Sequence, residues 1–442
     1  MLARRLVPAL LVLVLVSAAG ARAQVAADAR AVDAAAAAKN APPRAELPAL
    51  RKDEVVAGSP GDFMEVCHVV LAGSDFEIGR ALGTLAKERY ASVPTKAEDP
   101  VRARAQRRFM QAQFPALLER ARGAAAAFGV PLDDAHDWTG IADSFRRSGC
   151  SVVFFPPEST DDGAGLMSRF YDFGTGTFEG TKPKPDQRPT TSRPMVLELH
   201  PEHGFASLSL CAYDLLGGVI DGVNSAGLCV ALLAVDEQEQ ARAVEVEGPA
   251  QVGFGVLTTL RLLLDTCADV AAAKQALLTT KQVYEMIPCH YMVCDANGES
   301  FIWERSFAGN HDWIFDGDGT PQIVTNYAIH RHPDPGKLPR EGDPLGACNR
   351  ARLLADQIAA HAAKFSLDQV KRLHSAVACA PPAAPTRTNG VTSRTLWHAL
   401  YVPEERSLEI DFYLHDERDP AAPGGTRVVR SEYRKFTLGG TR

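Results

Sequence analysis

A cysteine, an arginine and an aspartate lie close together where the texture of the sequence changes. Ser148-Gly149-Cys150-Ser151-Val152-Val153-Phe154-Phe155 opens a strand-rich region directly behind a helical one, and Arg169-Phe170-Tyr171-Asp172 follows. Two strand-like runs joined through Asp161-Asp162-Gly163 form a hairpin, and antiparallel pairing brings Arg169 and Asp172 beside the start of the first run. A guanidinium near a thiol favours the thiolate, which is the nucleophilic form. A carboxylate beside it holds or orients a protonated amine. On spacing alone, a cysteine at a strand start is more often packing than chemistry.

The elements that must position these residues follow from pattern. Residues 24–59 are rich in Ala, Pro and charge and lack aromatics, which predicts a flexible lead-in. Phe63 to Leu71 is a short strand-like run. Phe76 to Tyr90 is helical by pattern, with Ser74 or Asp75 as its cap. Residues 101–129 form one long Arg/Ala/Gln-rich helix stopped by Gly129 and Pro131, and a short helix covers Asp134 to Phe145. After Cys150, strand-like runs dominate at Ser151–Phe155, Gly165–Tyr171, Met195–Leu199, Ala206–Tyr213, Leu228–Val235, Tyr291–Asp295, Phe301–Glu304 and Ile323–Asn326. A last hairpin spans Trp397 to Leu414. Helical blocks interrupt at 250–280 and 347–379. Strands, helices and strands again point to an α+β sandwich.

Length and composition bound the function. A chain of 442 residues with 46% hydrophobic and 23% charged residues has ordinary globular proportions and builds its core without disulfide staples. The net charge of −7, with no basic block, speaks against nucleic acid. Arg4 and Arg5, the apolar run Leu6 to Val16 and the small residues of Ala21-Arg22-Ala23 have the pattern of a signal peptide cut after residue 23, and so of a periplasmic or secreted protein. No later stretch is long and apolar enough for a stable membrane span. Nine cysteines leave at least one unpaired in an oxidising compartment. Cys211 and Cys229 sit in apolar runs and read as buried small hydrophobes. Cys289, His290 and Cys294 lack a second half of a ligand set, so no metal is expected.

Several motifs in order resemble the choloylglycine hydrolase and penicillin acyltransferase-like group of N-terminal nucleophile hydrolases. They are Gly73-Ser74-Asp75-Phe76-Glu77-Ile78-Gly79-Arg80, Gly149-Cys150, Arg169-x-x-Asp172, Asp221-Gly222-Val223-Asn224-Ser225-Ala226-Gly227-Leu228, the stretch His290 to Glu304, Val324-Thr325-Asn326 and Asn349-Arg350. The resemblance covers about residues 62–415. It implies a four-layer αββα sandwich, with residues 60–149 as a helical propeptide or α-chain and 150–442 as the catalytic domain. It implies self-cleavage between Gly149 and Cys150. The new N-terminal Cys150 would then attack a linear amide, with its own α-amine as base, because that amine has a pKa near neutrality. No cofactor is needed.

The resemblance makes Asn326 an oxyanion donor and Arg350 a site residue, with Arg352 the alternative if the register slips by two. A second oxyanion Asn of bile salt hydrolases falls here on Ala234, so a backbone amide of Ala234 or Val235 is expected to substitute. The span from Cys150 to Arg169 is longer than in the group. Asn224 reads first as a turn residue, since Asn-x-x-Gly favours a turn, and Asp221 as a cap of that turn. The partners implied are a small-molecule N-acyl amide, the chain's own propeptide fragment and a homo-oligomeric mate. An acyltransferase uses the same thioester with an amine acceptor, and an inactive relative that binds acylated molecules is the remaining alternative. A papain-like Cys–His enzyme is disfavoured, because no His has the required context. The acyl amide itself is not readable from one sequence.

Overall fold

The computed structural model describes residues 52–133, 135–137, 149–175, 190–212, 216, 218–235, 252–283, 288–306, 311–340, 346–380 and 393–439. The signal-peptide segment, residues 24–51 of the lead-in and most of the helix expected over Asp134–Phe145 lie outside them. In chain order the elements are β1 (Lys52–Gly58), β2 (Glu65–Gly73), α1 (Asp75–Tyr90), β3 (Thr95–Lys96), α2 (Pro100–Gln113), α3 (Pro115–Phe128), β4 (His136–Asp137), β5 (Gly149–Phe155), β6 (Leu166–Gly174), β7 (Met195–Pro201), β8 (Ser207–Cys211), β9 (Asp221–Asn224) and β10 (Cys229–Ala234). Then follow α4 (Val256–Thr266), α5 (Val270–Thr279), β11 (Cys289–Cys294), β12 (Ser300–Ser306), β13 (His311–Asp316), β14 (Gln322–Val324), α6 (Ala347–Ala360), α7 (Leu367–Ser375), β15 (Ser393–Val402), β16 (Ser407–Arg418), β17 (Thr426–Arg430) and β18 (Arg434–Thr437).

The fold is α+β and is built on two large sheets. One has nine strands in the order β1-β2-β7-β8-β9-β10-β11-β12-β13; the other runs β14-β5-β6-β15-β16-β17, with β18 also on β16. Alternation of side chains across each strand sorts the layers. Cys150, Val152 and Phe154 of β5 face inward, in one cluster with Leu208, Leu210 and Val223 of the other sheet. Val153 and Phe155 face outward onto Leu354 of α6 and Val370 and Leu373 of α7. Ile78, Leu82 and Leu85 of α1 cover Val69, Leu71 and Leu197 on the far side of the larger sheet, and Leu260, Leu263 and Leu264 of α4 pack against it too. The order helix, sheet, sheet, helix is the four-layer arrangement expected.

Four features differ from the sequence reading. Lys52–Gly58 is a strand paired with β2, so the lead-in does not extend to residue 59. The helix expected over 101–129 is two helices, because Pro115 lacks an N–H and restricts Phe114, whose φ of −152° breaks the first helix. His136–Asp137 pairs with Thr95–Lys96 as a short ladder where helix was expected. Asp221–Asn224 is a strand with three of its residues paired to β10, not only a turn. The cap of α1 is Ser74, which forms a capping box with Glu77.

The described part of the segment 60–149 is built into the larger sheet. β2 lies between β1 and β7, with a parallel register from Cys67↔Met195 to Gly73↔Pro201. Arg120 of α3 bridges Asp75 of α1 (2.9 Å) and Asp265 of α4 (2.7 Å), with its own side chain 1% exposed. Removing the segment would open the ladder and take from the buried Asp265 one of its two arginine partners, leaving only Arg261. If the chain is cut before Cys150, the two fragments should therefore elute as one species on gel filtration in buffer and separate only in denaturant. Elution as two native species would show that the strand ladder does not hold them.

Candidate active site

β5 and β6 pair antiparallel from Gly149↔Asp172 to Phe155↔Leu166, which places Cys150 opposite Tyr171 and Val152 opposite Arg169. The hairpin argument expected Arg169 and Asp172 beside the start of the first strand; Arg169 shares the inward face with Cys150 and Tyr171, while Asp172 pairs with Gly149. Arg169 Nη2 lies 3.7 Å from Cys150 Sγ and donates to the Leu232 carbonyl at 3.0 Å. The Arg169 guanidinium lies over the Tyr171 ring, 4.6 Å from its centroid, and Tyr171 stacks on Trp397.

What holds Arg169 is Asp221. Its Oδ2 lies 2.7 Å from Arg169 Nε, across the gap between the two sheets, and both side chains are fully buried. Asp221 also accepts from the Tyr401 hydroxyl (2.5 Å) and from Trp397 Nε1 (3.2 Å). Burial pushes this carboxyl upward and the guanidinium opposes the push. Two hydrogen-bond donors and the guanidinium thus converge on its two oxygens. The sequence reading took Asp221 as a turn cap and missed this role. The acidic residue at the head of the Asp-Gly-x-Asn run was the signal.

Asn326, just beyond β14, meets the backbone of Cys150. Its Oδ1 accepts from Cys150 N at 2.7 Å and from Arg350 Nη2 at 2.7 Å, while its Nδ2 donates to the Ala234 carbonyl at 2.7 Å. Two donors on one side and a carbonyl on the other fix the amide's orientation. Nδ2 has a second hydrogen to give. Ala234 thus contributes its carbonyl, as an anchor for Asn326; its amide belongs to β10.

Arg350 Nη1 donates to the Cys150 carbonyl at 2.5 Å and lies 3.9 Å from Asp172 Oδ2. Arg352 instead binds the carbonyls of Leu338 and Pro339, so it is Arg350 that meets Cys150. Asp172 faces Gly149, where an added Cβ would come within 3.3 Å of Asp172 Cβ. Its Oδ1 accepts from Thr395 Oγ1 at 2.5 Å. Burial pushes the Asp172 carboxyl up, opposed by Arg350 and the Thr395 hydroxyl.

Asn224 stands apart from this cluster. Its Nδ2 donates to the carbonyls of Leu264 and Cys267, and its Oδ1 accepts from the amides of Ala226 and Leu228. It is a turn residue, as the plainer reading had it. Cys289 and Cys294 lie in β11, where His290 contacts Glu304 and the Thr325 carbonyl.

Cys150, Arg169, Asp172, Asn326 and the partly exposed Arg350 thus form one cluster at the N-terminal end of β5. Residues 185–334 match the family of acyl-coenzyme A:6-aminopenicillanic acid acyl-transferase. The matched stretch carries Asp221, Ala234 and Asn326 but neither Cys150 nor Arg350. No curated protein matches the chain. Among solved structures, it is similar to a variant of conjugated bile acid hydrolase from Clostridium perfringens, at 15% identity and a TM-score of 0.42, covering 65% of this chain and 97% of that one. It is also similar to penicillin V acylase from Agrobacterium tumefaciens (14%, TM-score 0.38, 60% and 82%). A third is the Caenorhabditis elegans ortholog of N-acylethanolamine-hydrolyzing acid amidase (14%, TM-score 0.34, 58% and 93%).

The matched segment 185–334 therefore supplies the anchor of Arg169. Asp221→Asn should destabilise the protein by about 3–5 kcal/mol, because it leaves a buried guanidinium unpaired. Urea unfolding checks this, and a change within error would show that the pair carries no weight.

Proposed function

We propose that this chain is an exported cysteine hydrolase of linear N-acyl amides that matures by cutting itself between Gly149 and Cys150. The observation that carries the reading is the placement of Cys150. Asn326 Oδ1 holds its nitrogen at 2.7 Å while the Arg169 guanidinium lies 3.7 Å from its sulfur. Both the nucleophilic atom and the atom that would become its base are held by named side chains. The relation to an acyltransferase family supports the same chemistry.

In the first event the Cys150 thiol attacks the Gly149 carbonyl, the C–N bond to Cys150 breaks and a thioester forms. Water then releases Gly149 as a carboxylate and leaves Cys150 with a free α-amine. Before the cut that nitrogen is an amide and accepts no proton. Afterwards it takes the thiol proton as sulfur attacks the substrate carbonyl, and passes it to the departing amine. Water cleaves the resulting thioester, giving the acid and restoring the thiol. Asn326 Nδ2 donates its second hydrogen to the oxyanion. Asp172 and Arg350 orient the Cys150 amine and carbonyl. Export would remove residues 1–23.

Intact mass and N-terminal sequencing test the maturation. Purified protein should give a larger fragment beginning Cys-Ser-Val-Val, and Cys150→Ala should stay uncut. A single uncut chain that hydrolyses amides would sink the mechanism. Steady-state kinetics test the donor: Asn326→Ala should lower kcat by roughly a hundred- to a thousandfold with little change in KM. A near-normal kcat would move the oxyanion donors to backbone amides.

The relation to an acyl-transferase favours one second reading, in which an amine replaces water as acceptor of the same thioester. Added amine would then appear in an N-acyl product at the expense of the free acid.

A further inference from the structure

Behind Asn326 lies a buried charged cluster that the reaction above does not use. Glu304 of β12 is 1% exposed and sits beside its cross-strand partner His290 of β11. Its Oε2 lies 2.5 Å from His290 Nε2, and its Oε1 lies 2.5 Å from His330 Nδ1. The same carboxylate accepts from the backbone amides of Ile329 (2.6 Å) and His330 (3.1 Å). Trp313 of β13 stacks on His330, with ring centroids 4.0 Å apart. The other nitrogen of His290, Nδ1, faces the Thr325 carbonyl at 3.1 Å. A carbonyl only accepts, so Nδ1 carries the hydrogen. Burial works against ionisation of Glu304, but the hydrogen bond and charge of His290, with those of His330, hold its carboxyl down at about 2.

These contacts converge on residues 325–330, the turn that carries Asn326. Its other side is pinned by Thr325 Oγ1 donating to the Ala347 carbonyl at 2.8 Å, at the start of the helix that bears Arg350. We propose that Glu304, bracketed by His290 and His330, is a positioning residue that fixes the turn carrying Asn326 and so aims its amide at the reacting carbonyl. The proposal rests on the hydrolase reading for the identity of the reaction. The location of the clamp rests on the geometry alone. Glu304 belongs to the larger sheet and Asn326 follows a strand of the other, so a carboxylate taking four hydrogen bonds sets the distance between them at this point. A misplacement of about 1 Å far from the chemistry costs on the order of a hundredfold in rate.

The test is Glu304→Gln, alone and combined with Asn326→Ala, with kcat, KM and amide hydrogen exchange measured on the full chain. The single variant should lose roughly ten- to a hundredfold in kcat with little change in KM, and protection should fall across residues 325–330. In the Asn326→Ala background the same change should cost less than about twofold, since residues acting through one another are not additive. An equal loss in both backgrounds would mean that Glu304 acts on general stability, and would overturn the proposal. If Glu304→Gln does not fold, His330→Gln removes one arm of the clamp and must show the same coupling to Asn326; additive losses there overturn the proposal as well. If the wild-type protein hydrolyses no amide, the hydrolase reading fails and hydrogen exchange decides the clamp by itself. Loosening confined to residues 325–330 supports it, and unchanged protection there overturns it.

Discussion

The fully buried pair of Arg169 and Asp221 is the contact on which the site depends. Arg169 belongs to β6 of one sheet and Asp221 to β9 of the other, so their 2.7 Å contact crosses the core. Two charges out of water are costly, and attraction offsets that only when the remaining donors and acceptors are also satisfied. Here Tyr401 and Trp397 complete the carboxylate, and the Leu232 carbonyl and the Tyr171 ring face the guanidinium. A well-packed apolar pair would serve stability as well. The ionic one places a positive charge beside Cys150 Sγ, which an apolar pair cannot do.

The same logic explains why the two sheets share the cluster. Cys150 and Arg169 come from the smaller sheet, Asp221 and the Ala234 carbonyl from the larger, and Asn326 from the turn leaving β14. Each functional group is held by a partner on a different element. No single strand's register sets the geometry, and the position of one sheet on the other becomes part of the site. The segment before Cys150 enters this frame through β2 and the Arg120 bridge, so the larger sheet includes residues on both sides of the proposed cut.

Much of this was legible in the sequence because it is local. The hairpin of β5 and β6 follows from two apolar runs and a turn, and that places Arg169 and Asp172. The capping box of Ser74 and Glu77 marks the start of α1, and the hairpin before residue 414 is spelled by alternation. What escaped was non-local. Asp221 looked like a turn cap because its partner lies 52 positions earlier on another sheet; a sequence shows the carboxylate but not what it faces. β1 was hidden by the polar composition of an edge strand, whose Val55 is 55% exposed. The break before Pro115 was readable and was passed over for the Ala-rich periodicity on either side. His290 and Glu304 sat in a quoted motif, yet only their cross-strand register shows that they meet.

The pairing of Gly149 with Asp172 gives the proposed maturation an order. While Gly149 is in place, Asp172 faces its backbone, and any side chain there would crowd the carboxylate, whose Oδ2 lies 3.4 Å from the Cβ position. Glycine leaves that approach open and its carbonyl unobstructed. Once the bond breaks and Gly149 leaves the ladder, the space opposite Asp172 opens beside the new amine of Cys150. Asp172, already in contact with Thr395 and Arg350, then gains a cationic neighbour one residue along, while Asn326 Oδ1 keeps the contact with the same nitrogen that it had before the cut. The base and the groups that orient it would therefore be created by one bond cleavage, in a frame of buried side chains that has no need to move.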